Sequence, residues 1–144
     1  MPLINFGSIF NFAETLETDA EAVYNKLAAL DACSSIREML EEFVRDCRKN
    51  VQTIQRTRRE NVTEMILEPI KDFTRAPYQI VIEDSQTDAA DTASALLVAR
   101  KLEQNAEGYY MEAAQKIKAL PEVSRALKTI GKKHTAHLRK LDAV

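Results

Sequence analysis

The stretch ETDAEAVYNKLA at residues 17–28 returns in altered form as EQNAEGYYMEAA at residues 103–114. Glu17, Ala20, Tyr24 and Ala28 of the first copy have the same spacing as Glu103, Ala106, Tyr110 and Ala114 of the second. Each copy lies in a longer run whose apolar positions recur every three or four residues, as a helix with one buried face requires. The first face is Ala13, Leu16, Ala20, Val23 and Leu27, with Ser8 placed to cap the helix and an end near Asp31. The later one is Leu96, Ala99, Glu103, Ala106, Tyr110, Ala113 and Ile117, started by Asp88 or Asp91. Each of these runs is followed by another. Ser35 with Glu38 makes a capping box ahead of Ile36, Leu40, Phe43, Cys47, Asn50 and Ile54. Pro121 suits the first turn ahead of Val123, Leu127, Ile130, His134, His137 and Leu141. These two stripes also align at one constant offset, which sets Cys47 opposite His134 and Asn50 opposite His137. The chain reads as a duplicated helical hairpin.

Between the hairpins, residues from about 60 to 87 carry Pro69, Pro77 and the run Gln79-Ile80-Val81-Ile82, a long connection rather than a tight turn. The expectation is an all-α four-helix bundle, two helical hairpins joined by a long crossover, in a single domain over residues 1–144. With 45% hydrophobic and 29% charged residues, 3 Gly and no Trp, disordered, collagen-like and Gly-rich β architectures fit poorly. A net charge of −2 gives no electrostatic footprint for nucleic acid or an anionic membrane. The basic run Arg45, Arg48, Lys49, Arg56, Arg58 and Arg59 reads as a solvated helix face, since acids are interspersed with it. The opening MPLINFGSIFNFAE lacks the basic start of a signal peptide, and no apolar run approaches the roughly 20 residues of a membrane span. Two cysteines, Cys33 and Cys47, are too few for a disulfide scaffold and suit a reducing, cytoplasmic setting, although one bridge between them stays open.

Glu17, Asn50, Glu103, His134 and His137 all fall on the apolar stripes. Groups of this kind are costly to bury unless they are paired or bind a metal. His134 and His137 are three residues apart, project from one helix face and can share an ion, with Glu103 as a third ligand. Two His and one carboxylate with open positions suit non-haem Fe(II), and Zn or Mn as well. A Glu-His-Asn-Tyr network closed by hydrogen bonds would satisfy the same groups with no metal at all. Tyr24 and Tyr110 lie one to two turns from the two Glu on the same faces, as core aromatics or as hydrogen-bond partners of the ligands.

These residues resemble the ferritin-like superfamily, and its rubrerythrin-like branch, over nearly the whole chain. Glu17-Thr-Asp-Ala20-Glu-Ala-Val-Tyr24-Asn-Lys-Leu27-Ala28 is similar to that family's first helix, and Glu103-Gln-Asn-Ala106-Glu-Gly-Tyr109-Tyr110 to its third. In the family, helices two and four each carry Glu-x-x-His, and six side chains hold two irons. Here the second motif falls at Cys47-x-x-Asn50, in a stretch that also holds Glu41, Glu42 and Asp46, and the fourth reads His134-x-x-His137. The resemblance therefore implies one Fe, Zn or Mn per chain, held by Glu103, His134 and His137, with Glu17 as a fourth ligand or a hydrogen-bonding partner. Cys47 and Asn50 become altered ligand positions, with Cys47 either a soft ligand or a small core residue. It implies oxygen or peroxide chemistry, a homo-oligomer with a dimer favoured, and a separate redox partner, since paired C-x-x-C motifs are absent. The competing expectation is a degenerate bundle that kept the fold, lost the metal and serves as a structural or protein-interaction module.

Overall fold

The computed structural model describes residues 6–65, 70, 73–79, 82–88 and 90–144. Helix α1 (Phe6–Ala28) is followed by a 3-10 turn (Asp31–Ile36) and α2 (Arg37–Met65). A second 3-10 turn (Ala76–Tyr78) and the single turn α3 (Asp84–Thr87) lie in the crossover, ahead of α4 (Thr92–Lys116) and α5 (Pro121–Asp142). α1 packs along α2 and α4 along α5, and the two pairs close through α1 against α4 and α2 against α5. The protein is thus an all-α four-helix bundle built from two hairpins. No helix among the described residues is long and apolar enough to cross a membrane.

Helix ends obey local chemistry, though not always at the expected residues. Asp91 caps α4 by accepting from the Ser94 N–H at 2.8 Å, and this bond holds its carboxyl below the usual range. Pro121 occupies the first turn of α5. Ser8, by contrast, lies inside α1, because burying Ile9 and Phe10 carries the helix back to Phe6 and overrides the cap preference. Ser35 sits in the 3-10 turn with its hydroxyl 3.5 Å from that of Thr92, so α2 starts at Arg37 without the expected box. α2 also runs to Met65, past the expected start of the crossover near residue 60. Of the crossover residues singled out above, Pro69, Ile80 and Val81 lie outside the described residues.

The orphan carbonyls at the end of each hairpin's first helix are met by the second. Arg37 donates from Nε to the Ala28 carbonyl at 2.7 Å, and the Ser124 hydroxyl donates to the Ala114 carbonyl at 2.9 Å. Ala28 and Ala114 are equivalent positions of the repeat. Between α4 and α5, Gly131 allows a close approach, since a Cβ there would lie 3.2 Å from both Tyr110 Cβ and Met111 Cε.

The bundle interior divides into two apolar clusters. One gathers Ile9, Phe10, Ile54, Tyr109, Leu127 and Ile130 at the end where α1 and α5 begin. The other gathers Leu27, Leu40, Phe43, Cys47, Ala99 and Leu141 towards the opposite end. In every long helix the residues between these clusters are polar and buried: Glu17 in α1, Asn50 in α2, Glu103 in α4, His134 and His137 in α5. Both cysteines are free and buried.

Candidate metal centre in the polar layer

Helical spacing brings one turn of each long helix to the same height, and five residues that are at most 1% exposed meet there. Glu103 is the hub. Its Oε2 faces Nδ1 of His134, its Oε1 lies 2.8 Å from Nδ1 of His137, and the Tyr24 hydroxyl donates to Oε1 at 2.9 Å. Both imidazoles therefore turn the same nitrogen towards one carboxylate. Their outer nitrogens are held as well, His134 Nε2 at 2.7 Å from Glu17 Oε1 and His137 Nε2 at 2.7 Å from Asp46 Oδ2. Asn50 completes the layer by donating from Nδ2 to Glu17 Oε1 at 2.7 Å.

Flat stacking fixes the rings. Phe43 lies on His137 with centroids 3.9 Å apart and planes 16° from parallel, and Tyr110 lies on His134 at 5.5 Å and 8°. Two buried polar atoms beside the cluster, Asn50 Oδ1 and the Tyr110 hydroxyl, have no hydrogen-bond partner among the described residues.

The electrostatics follow from burial against pairing. Burial pushes the Glu103 carboxyl up, but the charge of His134 and the hydrogen bonds from both imidazoles outweigh it and bring it down to about 2. Burial likewise pushes His134 down, and the Glu17 and Glu103 carboxylates reverse this and raise it to about 10. His137 is raised too, against its burial, by Glu103 and Asp46. Each ring bridges two carboxylates, whose charge favours its protonated form against the desolvation of burial. Desolvation, followed by the charge of nearby carboxylates, pushes the Cys47 thiol far up, so it stays protonated among apolar neighbours.

The residues singled out in the sequence occupy distinct places in this layer. Glu103, His134 and His137 offer ligand atoms within 4.8 Å of one another, against the about 4 Å spanned by two donors across one ion with bonds of about 2.0–2.1 Å. Glu17 meets the far edge of His134, on the opposite ring nitrogen from Glu103. Tyr24 hydrogen-bonds Glu103, Tyr110 stacks on His134, Asn50 anchors Glu17, and Cys47 packs in the apolar cluster. Asp46 is the participant that stripe reading leaves out. It flanks the buried face of α2, three residues after Phe43 and four before Asn50, and that spacing carried the signal.

A cavity of about 300 Å³ opens between α1 and α4 and reaches the layer at Glu17, Tyr24, Glu103 and His134. The apolar part of its wall is formed by Phe12, Leu16, Ala20, Leu102 and Ala106. Compared with protein-family models, with curated proteins and with solved structures, the chain matches none of them.

Proposed function

We propose that the protein binds one transition-metal ion in the polar layer through Glu103, His134 and His137, as a divergent member of the ferritin-like superfamily close to its rubrerythrin-like branch. One observation carries this reading: both imidazoles aim Nδ1 at the Glu103 carboxylate while a second carboxylate holds each Nε2 from behind. Metal-ligating histidines have this arrangement, in which the outer acid fixes the ring and raises the basicity of the inner nitrogen. On this reading Glu17 orients His134 as Asp46 orients His137, and Tyr24 steadies Glu103. Two His and one carboxylate suit Fe(II), with Zn and Mn compatible. Such an ion would supply Lewis-acid or one-electron redox chemistry beside the cavity, with the chain's own side chains holding the site oriented.

A second reading has its own support. All four ring nitrogens already face carboxylate oxygens, so three acids and two imidazole rings close a hydrogen-bonded network without an ion. The bundle would then be a structural or interaction module. Elemental analysis of untagged protein, alongside the double variant His134→Ala/His137→Ala, decides between them. The metal reading expects about one ion per chain, lost in the variant. No ion in either protein after anaerobic loading with Fe(II), Mn(II) and Zn(II) overturns it.

A further inference from the structure

The cavity beside the polar layer has a lopsided hydrogen-bonding inventory. Three carboxylates line it, Glu17 and Glu103 at the floor and the exposed Asp19 nearer solvent, with no Lys or Arg among the described lining residues. The one imidazole, that of His134, has both nitrogens on the two floor carboxylates. The Tyr24 hydroxyl is spent on Glu103, the Thr15 hydroxyl donates to the Asn11 carbonyl at 3.0 Å, and Asn105 Nδ2 donates to the Tyr78 carbonyl at 3.1 Å, which leaves the exposed Gln79 amide and one Asn105 N–H as neutral donors. Acceptor capacity remains. Glu17 Oε1 takes both Asn50 and His134 at 2.7 Å, whereas Oε2 has only a 3.2 Å contact with the same His134 nitrogen. A carboxylate has about four lone-pair positions, so Glu17 can accept more than it receives here.

The occupant such a cavity selects must donate hydrogen bonds at its buried end and be apolar along its body. An anionic ligand would meet three carboxylates with no charged donor free to receive it, only the neutral amide N–H groups of Gln79 and Asn105, a penalty that burial increases. We infer that the cavity binds a small primary amine, its ammonium group donating to Glu17 and its hydrocarbon body lying against Phe12, Leu16, Ala20, Leu102 and Ala106. The size is set by volume. A cavity of about 150 Å³ holds benzene, so one of about 300 Å³ takes an aromatic ring with a short aminoalkyl arm. The amine site goes beyond the metal reading, since Glu17 lies on the side of His134 away from the Glu103-facing nitrogen.

The test uses the full chain after chelator treatment, so that the presence of a metal, read separately by elemental analysis, does not bear on the result. Calorimetric titrations at neutral pH compare 2-phenylethylamine with its uncharged counterpart 2-phenylethanol and the anion 3-phenylpropanoate. The amine should bind about tenfold or more tightly than the alcohol, reflecting a charge-assisted over a neutral hydrogen bond, and the anion should not bind. Ala106→Leu, which fills the cavity wall, should abolish amine binding. Glu17→Gln should reduce the preference for amine over alcohol to near unity. Equal binding of amine and alcohol by the native chain, tightest binding of the anion, or no amine binding overturns the assignment. The ligand series on the unmutated protein decides this even if a variant does not fold.

Discussion

Asp46→Asn exchanges one oxygen for an amide group at the outer edge of His137 and leaves the side chain's shape alone. The amide oxygen can still accept from His137 Nε2 where Asp46 Oδ2 now lies, at 2.7 Å, so what is lost is charge. The Asp46 side chain is 27% exposed, and water screens part of its interaction with the ring. For the metal-free protein the cost should be about 0.5–1 kcal/mol, the upper range for a partly exposed pair. If His137 ligates an ion, the same change weakens metal binding by about 10–100-fold, equivalent to about 1.4–2.7 kcal/mol. Thermal melts with chelator and with excess Zn(II) or anaerobic Fe(II) separate the two contributions. At about 2–4 °C per kcal/mol for a domain near this size, the metal-dependent rise in Tm should shrink by roughly 3–10 °C in the variant when metal is in large excess over both dissociation constants. The chelated proteins should differ by only a few degrees. An identical metal-dependent rise in both proteins would refute the role given to Asp46, and with it the observation on which the metal reading rests.

Tyr24→Phe removes a buried hydrogen bond to the Glu103 carboxylate and should cost about 1.5–3 kcal/mol in urea unfolding, the range for bonds to charged groups; a change below about 0.5 kcal/mol would mean Glu103 does not depend on it. In chelated protein, the pairing of His134 should contribute fully below the ordinary 6.5 and fade as pH rises towards about 10. Seen from Glu103, it should contribute fully above 4.5 and fade as pH falls towards about 2, so the urea midpoint should peak between pH 4.5 and 6.5 and a midpoint still rising above that window would contradict the ion pair. Gly131→Ala gains about 1 kcal/mol of helix propensity but places a methyl 3.2 Å from Tyr110 Cβ, which is fixed to its backbone. Overpacking of about 1–3 kcal/mol should win, giving net destabilisation of about 1 kcal/mol, and a more stable variant would show that α4 and α5 separate freely.

The fold was legible because burial recurs with helical period and the second half repeats the first. The stripe positions Leu40, Phe43, Ala99, Ala106, Leu127 and Ile130 are all buried in the bundle. The same periodicity marked the polar layer, since Glu17, Glu103, His134 and His137 stood where apolar residues belong. Periodicity could not give the pairing, because which nitrogen meets which acid depends on side-chain direction across helices. Asp46 was missed for that reason: it sits at the margin of its stripe and reaches inward only because His137 of α5 lies across from it. The cavity was invisible too, being a gap between α1 and α4 rather than a property of either. Helix starts went astray where tertiary burial competes with a local cap, as at Ser8, and held where a cap faces solvent, as at Asp91.

The polar layer also acts as an alignment key for the bundle. Apolar stripes alone tolerate a slide of one helix along its neighbour by a full turn, about 5.4 Å, because Leu, Ile and Ala faces are broadly interchangeable. Here such a slide in α1 would draw Glu17 away from His134 and set it against one of the two apolar clusters. An unpaired buried carboxylate costs several kcal/mol, comparable with the whole stability of a small domain. The charged layer thereby admits one longitudinal alignment of the four helices, at the cost of some stability that an all-apolar interior would have supplied.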